Sequence, residues 1–260
     1  MTTPSGATRP GAAVDAEHLR AVLAEVDAVG GFFAISTRAA EAHDPSWRPL
    51  AALLAVPADG PDPLGSRLAE VAEGLGGGRR VAASLLAQSL AARSVSVLLA
   101  ATTAGVLPDL SPGTVLHARP WAGGPLPLWA DPERLTGVDL TTTDPADVAR
   151  ALARVLAEDH LAPLVAGIRA RASVSARVLW GNAASALAGA VRVLGDARPD
   201  RHGAALALAR GVLRHEPFAG LGRFVADPGH PSGLGFARTT CCLYYRVPGG
   251  GKCGDCVLRV

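Results

Sequence analysis

Apolar residues recur at helical spacing near the start of the chain. Leu19, Leu23 and Val26 fall on one face of a predicted helix that begins near Asp15, and the pair Gly30-Gly31 ends it. Further stretches carry the same periodicity, and several are bounded by glycine or proline. The additional predicted helices cover residues 64–75, 80–104, 145–158, 160–171, 173–194 and 202–214.

Patterns typical of strands are short and few. Residues 114–120 and 125–130 flank the turn signal Gly123-Gly124, which predicts a β-hairpin. Two prolines in the second segment remove backbone donors, so that strand is expected at a sheet edge. Residues 32–36 predict one more short strand. The pattern as a whole predicts an α+β fold that is helix-dominated, with a small antiparallel sheet.

Composition excludes several classes of protein. The 260 residues are 49% hydrophobic, which is enough for a large core, and the net charge of +2 argues against a nucleic-acid partner. The most apolar stretch, residues 94–107, is shorter than the roughly 20 residues that a membrane-spanning helix needs. We therefore expect no transmembrane segment and interpret this stretch as a buried core helix.

All four cysteines lie among the last twenty residues. Cys241, Cys242, Cys253 and Cys256 have the spacing Cys-Cys-x10-Cys-x2-Cys, and the preceding 240 residues contain no cysteine. Four thiolates that can reach one region bind a metal ion or an iron–sulfur cluster. Each iron of a 2Fe–2S cluster needs two sulfurs, so adjacent Cys241 and Cys242 suit two metal centres better than one.

Two structural alternatives remain open at this point. The first is a pair of disulfides. Residues 1–14 lack the apolar core of a signal peptide, and the thiols of a protein that is not exported stay reduced, so this alternative is disfavoured. A zinc site is the other, because the two-residue gap between Cys253 and Cys256 is typical of zinc ligands. The adjacent pair Cys241-Cys242 does not fit the usual zinc spacing.

Positive charge surrounds the cysteines in the sequence. Arg238, Arg246, Lys252 and Arg259 all lie within a few positions of a cysteine. A thiolate-bound cluster is an anion, so nearby cations are expected to stabilise its reduced form and raise its reduction potential. An ordinary solvated basic tail is an equal alternative.

The cysteine segment resembles the C-terminal iron–sulfur motif of the FhuF-like ferric siderophore reductases. The likeness comprises the double cysteine, the run Tyr244-Tyr-Arg-Val-Pro248 and the closing Cys253-Gly-Asp-Cys256. A second block, residues 161–187, is also similar to that family and contains Leu-Trp-Gly-Asn at 179–182. A weaker likeness is the predicted helix that starts with Val81-Ala-Ala-Ser. The resemblance implies that all four cysteines bind a 2Fe–2S cluster.

The resemblance also implies an enzymatic function. Members of that family reduce ferric iron in a hydroxamate-type siderophore by one electron and release ferrous iron in the cytoplasm. The implied partners are a ferric hydroxamate siderophore and an unidentified electron donor similar to a ferredoxin or a flavoprotein. The implied location is the cytoplasm, with loose contact to the inner face of the membrane left open.

Three residues outside the tail are candidate substrate contacts. Trp180 and Asn182 belong to the second block, and Arg177 lies one helical turn before that Trp-Gly-Asn run. The Asn182 amide both donates and accepts hydrogen bonds, so it suits either of two roles. It can hold the cluster loop in place, or it can face a hydroxamate or amide of a siderophore.

These expectations divide the chain into four parts. They are a disordered tail (1–13), a helical N-terminal region (14–110), an α+β core with a siderophore pocket (111–235) and a 2Fe–2S cluster-binding segment (236–260). Two rival functions stay open beside the reductase: a non-catalytic 2Fe–2S electron carrier or iron/redox sensor, and a zinc-stapled binding module.

Overall fold

Helices make up most of the computed structural model, which describes residues 11–121 and 123–259. Most begin at a side-chain cap or a proline and end at a glycine or a turn, as the sequence pattern predicts. The α-helices are α1 (Ala16–Ala28), α2 (Leu50–Leu54), α3 (Pro63–Leu75), α4 (Arg79–Thr103), α5 (Pro145–Arg154), α6 (Ala162–Arg171), α7 (Ala176–Ala197) and α8 (Pro199–Val212).

The strands are short and all pair antiparallel within three small sheets. They are β1 (Arg48–Pro49), β2 (Val106–Pro108), β3 (Leu116–Ala118), β4 (Leu128–Ala130), β5 (Gly137–Asp139), β6 (Gly222–Ala226) and β7 (Leu234–Arg238). The sheets have the orders β1-β3-β4, β2-β5 and β6-β7. The α+β fold with small antiparallel sheets is confirmed.

The centre of the fold is the contact between α4 and α7. Both helices are rich in small residues, alanine and serine in α4 and alanine and glycine in α7, so their backbones approach closely and their side chains are buried along most of their length. Helices α3, α6 and α8 pack around this pair. The cluster-binding segment follows β7, which contacts α7.

Helices α4 and α7 are also long and apolar enough to span a membrane, by length and composition alone. The apolar stretch 94–107 belongs to α4 only as far as Thr103, and its last two residues, Val106 and Leu107, begin β2. The interpretation as a core helix is confirmed for residues 94–103, since 78% of the apolar window in α4 is buried by the rest of the chain; the corresponding figure for α7 is 67%.

Most predicted elements are present, with three corrections. The hairpin is confirmed as β3 and β4, with β4 at the edge of its sheet. The strand predicted for residues 32–36 is wrong: residues Gly31–Phe33 form a 3-10 turn, and only Ser36 makes a β-bridge. The two helices predicted for 145–158 and 160–171 are joined without a break through a π-helical segment, Val155–Leu161.

The third correction concerns the predicted disordered tail. Residues 1–10 lie outside the described residues. The end of the tail is ordered, because Ala12 accepts a hydrogen bond from the Asp139 backbone and Ala13 bridges to Val138 beside β5.

Candidate functional site

The four cysteines occupy two turns that face each other. Cys241 and Cys242 follow β7, and Cys253 and Cys256 follow a glycine-rich turn. Cys242 is buried and the other three are partly exposed. The Sγ atoms of Cys242 and Cys253 lie 3.4 Å apart, well beyond the roughly 2.05 Å of a disulfide, and all four residues are free cysteines.

Backbone geometry turns amide groups toward two of the sulfurs. Leu243 adopts a left-handed conformation (φ 69°), which is costly for a residue with a branched side chain. Its N–H group points at Cys241 Sγ at 3.4 Å, and the N–H of Leu258 approaches Cys256 Sγ at the same distance. Hydrogen bonds of this type stabilise metal-bound thiolates.

A buried hydrogen-bond chain fixes the first cysteine pair to the two central helices. Ser84 of α4 donates to the backbone carbonyl of Cys242 (2.8 Å). Asn182 of α7 donates to the carbonyl and hydroxyl oxygens of Ser84 (2.7 and 2.8 Å) and is itself fully buried. Asn182 thus connects α7, through Ser84, to the turn that carries Cys242. Its amide is inaccessible to a ligand.

The oxygen of the same amide accepts a hydrogen bond from a buried arginine. Arg238 Nη2 donates to Asn182 Oδ1 (2.5 Å) and to Thr240 Oγ1 (3.2 Å). Its Nε and Nη1 atoms are buried and have no hydrogen-bond partner within the described residues.

The neighbours of Asn182 complete the joint between α7 and the cysteine segment. Gly181 leaves the space that Thr240 occupies, because a Cβ at that position would come within 1.9 Å of Thr240 Oγ1. Trp180 packs edge-on against Phe218, with ring centroids 5.9 Å apart. Trp180 thus shapes the core beside the cysteine segment.

Burial controls the chemistry of Cys253. Desolvation, together with the hydrogen bond and charge of Cys242, raises the pKa of Cys253 to about 12, while the positive charge of Arg238 opposes that rise. The free thiol is therefore protonated at neutral pH. A bound metal supplies the positive charge that stabilises the thiolate.

The donor set fits a two-iron cluster better than a single ion. Within residues 11–121 and 123–259, no three His, Cys, Asp or Glu side chains gather around one point as the ligands of one ion do. A 2Fe–2S cluster binds its four sulfurs as two pairs on separate irons, so they need not converge. Four free sulfurs, two N–H groups aimed at sulfur and a buried unpaired cation together fit an anionic cluster.

A cavity of about 730 Å³ opens beside the cysteines. Part of its wall comes from the cysteine segment, and α4, α7 and residues 29–33 form the rest. The lining residues of the cysteine segment are Cys242, Tyr244, Cys253 and Asp255. The lining is mostly apolar. Its charged members are Arg192 and Asp255, which form an ion pair at 3.4 Å, and Ser185 donates a hydrogen bond to Asp255.

A buried arginine holds the turn that closes this cavity. Arg93 of α4 donates to the backbone carbonyls of Gly31 (3.2 Å), Phe32 and Ala34, and to Leu126 O (2.7 Å). Burial lowers the pKa of Arg93 to about 10, so the side chain remains charged at neutral pH. The cavity therefore includes residues of the predicted N-terminal region and is not confined to residues 111–235.

The remaining predicted residues lie away from the cavity. Arg177 is exposed near the start of α7, and neither it nor Trp180 lines the cavity. Among the predicted cations, Arg246 is exposed and stacks on Tyr245, with 5.6 Å from its guanidinium carbon to the ring centroid. Lys252 is exposed and donates to the carbonyl of Leu258. Of these cations near the cysteines, Arg238 is the one that the structure shows to be buried.

Sequence reasoning missed several residues of this site. Ser84 lies in the Val81-Ala-Ala-Ser block, and the weak family likeness of that block is the sequence feature that could have identified Ser84 as part of the site. Asp255 lies inside the Cys-Gly-Asp-Cys turn, but its pairing with Arg192 has no signal in the sequence because 63 positions separate the two residues.

Comparisons with protein families match two stretches of the chain. Residues 238–258 match the family model described as the FhuF 2Fe-2S C-terminal domain. Residues 103–222 match the model described as ferric iron reductase FhuF-like transporter. Together the two stretches span more than half of the chain. A search of curated proteins finds no match.

Proposed function

The chain belongs to the FhuF-like family and carries its 2Fe–2S cofactor, and from that premise we propose that it is a cytoplasmic ferric-siderophore reductase. The family reduces ferric iron. The proposed substrate is Fe(III) bound by a hydroxamate-type siderophore, and the product is Fe(II). One electron is transferred for each iron.

We assign the cluster ligands to Cys241, Cys242, Cys253 and Cys256. Their free sulfurs and the N–H groups aimed at Cys241 and Cys256 support this assignment. When bound, the cluster supplies one-electron redox chemistry. The protein contributes the position of the sulfurs, the surrounding charge and the exclusion of water on the Cys242 side.

The observation that supports this function best is the position of Cys242 and Cys253. Their sulfurs lie 3.4 Å apart, and both residues line the 730 Å³ cavity. Small-molecule sites typically have volumes of about 300–1,000 Å³ and mostly apolar walls. A ferric chelate bound there lies next to the residues that hold the redox centre, so the electron crosses a short distance.

The chemistry after electron transfer needs little from the protein. Hydroxamate oxygens are hard ligands that favour ferric over ferrous iron, so reduction weakens the complex. No side chain has to abstract a proton or form a covalent bond. The apolar wall and the Arg192–Asp255 pair serve to bind and orient the chelate.

The electron donor is proposed to be a protein similar to a ferredoxin or a flavoprotein. Tyr244 and Tyr245 are 37% and 44% exposed and lie between the two cysteine pairs. This part of the cysteine segment therefore reaches the surface, where a donor can dock.

A single-turnover experiment tests the reductase function. Anaerobically purified protein is reduced, freed of excess reductant and mixed with a ferric tris-hydroxamate in the presence of a ferrous chelator. The expected result is reoxidation of the visible spectrum and one trapped Fe(II) for each electron lost. The gallium(III) complex of the same hydroxamate is the control, because it binds similarly but accepts no electron.

The other outcomes separate the rival functions. A red-brown protein that is not reoxidised by the ferric complex is an electron carrier or sensor. A colourless protein with stoichiometric zinc is a zinc-stapled binding module. Either result refutes the proposed reductase.

A further inference from the structure

Arg238 is a buried guanidinium without an acidic partner. It is 4% exposed, and no carboxylate pairs with it among the residues that the structure describes. Its Nη2 atom is held by Asn182 and Thr240, but the donors of Nε and Nη1 are buried and have no acceptor. A buried charge with unmade hydrogen bonds is strongly unfavourable unless an anion compensates it.

The surroundings of Arg238 place that missing anion at the cysteines. Thr240, one of its two partners, directly precedes Cys241. Asn182, the other partner, is linked through Ser84 to the backbone of Cys242. The charge of Arg238 also lowers the pKa of the Cys253 thiol, against the rise that burial causes. The guanidinium is therefore tied through its hydrogen-bond partners to the turn that carries Cys241 and Cys242, and it is close enough to Cys253 for its charge to affect that thiol.

We propose that Arg238 is the built-in counter-charge of the iron–sulfur cluster, and that its free Nε and Nη1 donors face the cluster and raise its reduction potential. The inference rests on the proposed cluster ligation by the four cysteines. A thiolate-bound cluster is anionic and gains a further negative charge on reduction, so a fixed buried cation stabilises the reduced form more than the oxidised form.

Asn182 is the positioning residue for this contact. By accepting from Nη2 it fixes the plane of the guanidinium, and by donating to Ser84 it couples that plane to the Cys242 turn. Two other cations that the sequence places near the cysteines differ from Arg238. Arg246 and Lys252 are exposed, so solvent and salt screen their charges.

Redox titration of Arg238→Gln tests the proposal, with Arg246→Gln as the matched control. Both variants remove one positive charge from the same segment, but only the first removes a buried one. At a fixed potential, we expect the oxidised-to-reduced ratio of Arg238→Gln to rise about tenfold over wild type, a shift of about 59 mV for a one-electron couple. Arg246→Gln is expected to change that ratio less than twofold.

An unchanged potential in cluster-loaded Arg238→Gln overturns the proposal. If Arg238→Gln cannot be purified with a bound cluster, the proposal is tested by measuring the stability of cluster-free protein. Without a cluster the buried charge lacks its counter-ion, so Arg238→Gln, which keeps an amide donor for Asn182, is expected to be at least as stable in a Cys253→Ser background as Cys253→Ser alone. A clear loss of stability, or failure to fold, would mean that Arg238 acts only through Asn182 and Thr240.

Failure of this inference and failure of the proposed function give different results. Wild-type protein without iron or visible absorption refutes the cluster itself before any variant is compared. A wild-type cluster with normal ferric reduction and an Arg238→Gln potential equal to wild type refutes only the role of Arg238.

Discussion

Gly181 and Thr240 approach so closely that no side chain fits between them: a Cβ on Gly181 would lie 1.9 Å from Thr240 Oγ1. Gly181 lies in the second turn of α7, inside the helix, where glycine is unfavourable by about 1 kcal/mol relative to alanine. Thr240 directly precedes the first cysteine. The close approach therefore couples the central helix to the position of the cluster ligands.

We expect Gly181→Ala to lower both stability and cluster content. Overpacking of a tight contact costs about 1–3 kcal/mol, which exceeds the gain in helix propensity. The free energy of unfolding and the iron content per chain measure the effect. Gly189→Ala is the control on the same helix, because nothing lies within 4 Å of a Cβ there, and it is expected to be neutral or stabilising. Equal behaviour of the two variants would refute the coupling.

Filling the cavity is expected to weaken substrate binding without changing the redox centre. Gly189 lines the cavity and has open space around its Cβ position, so Gly189→Leu projects a side chain into the cavity without a clash. We expect KM for a ferric hydroxamate to rise at least tenfold, while the visible spectrum and the reduction potential stay at wild-type values.

Gly203→Leu is the matched control for the cavity variant. Gly203 is an exposed helical glycine of α8, also with open space, and it is not part of the cavity wall. Its KM is expected to equal that of wild type. Unchanged KM in Gly189→Leu would show that the substrate binds elsewhere.

Cys253→Ser is expected to abolish the visible spectrum and leave the helical content largely intact. The helices pack around α4 and α7 and bury their own core, so they do not depend on the cysteine segment for their hydrophobic burial. Absorption and far-ultraviolet circular dichroism measure the two properties. Loss of the whole fold in this variant would indicate a structural metal site instead.

His160 is expected to make the fold less stable in mild acid. Burial lowers the pKa of His160 to about 4 from its ordinary 6.5, and neither ring nitrogen has a hydrogen-bond partner within the described residues. The unfolded chain binds the proton more tightly, so stability is complete above pH 6.5 and is lost as the pH falls toward 4. Between pH 7 and pH 5 the expected loss is about 2 kcal/mol.

Denaturation of the cluster-free Cys253→Ser protein at pH 5–7 measures this loss without interference from the cluster. His160→Leu in that background is expected to have a flatter pH dependence. Asp159, the preceding residue, has a pKa raised by burial and acts in the opposite direction. Identical slopes with and without His160 would refute the prediction.

The sequence predicted those parts of the fold that local rules determine. Helical periodicity placed α1, α3 and α4 within a residue or two, because their buried faces are continuous along the chain. The gap between the predicted helices 64–75 and 80–104 is the glycine-rich turn between α3 and α4. The hairpin β6–β7 was missed, since five glycines and prolines between residues 227 and 235 conceal the alternation of its strands.

The candidate site was only partly predictable for the same reason. Cysteine spacing is local, so the four proposed ligands were evident. The contacts of Asn182 with Ser84 and Arg238 join segments 98 and 56 positions apart, and no periodic pattern encodes such a pairing. The predicted helix 160–171 places His160 at a helix start, but His160 lies inside the continuous π-helical segment.

The turn Gly31–Phe33 and the part of α4 that lines the cavity both precede residue 103, where the first family match begins. Cys242 and Cys253, which also line the cavity, lie within the second match. The chamber is thus assembled from segments that are far apart along the chain, so a substitution in the early turn changes its shape without touching a cysteine.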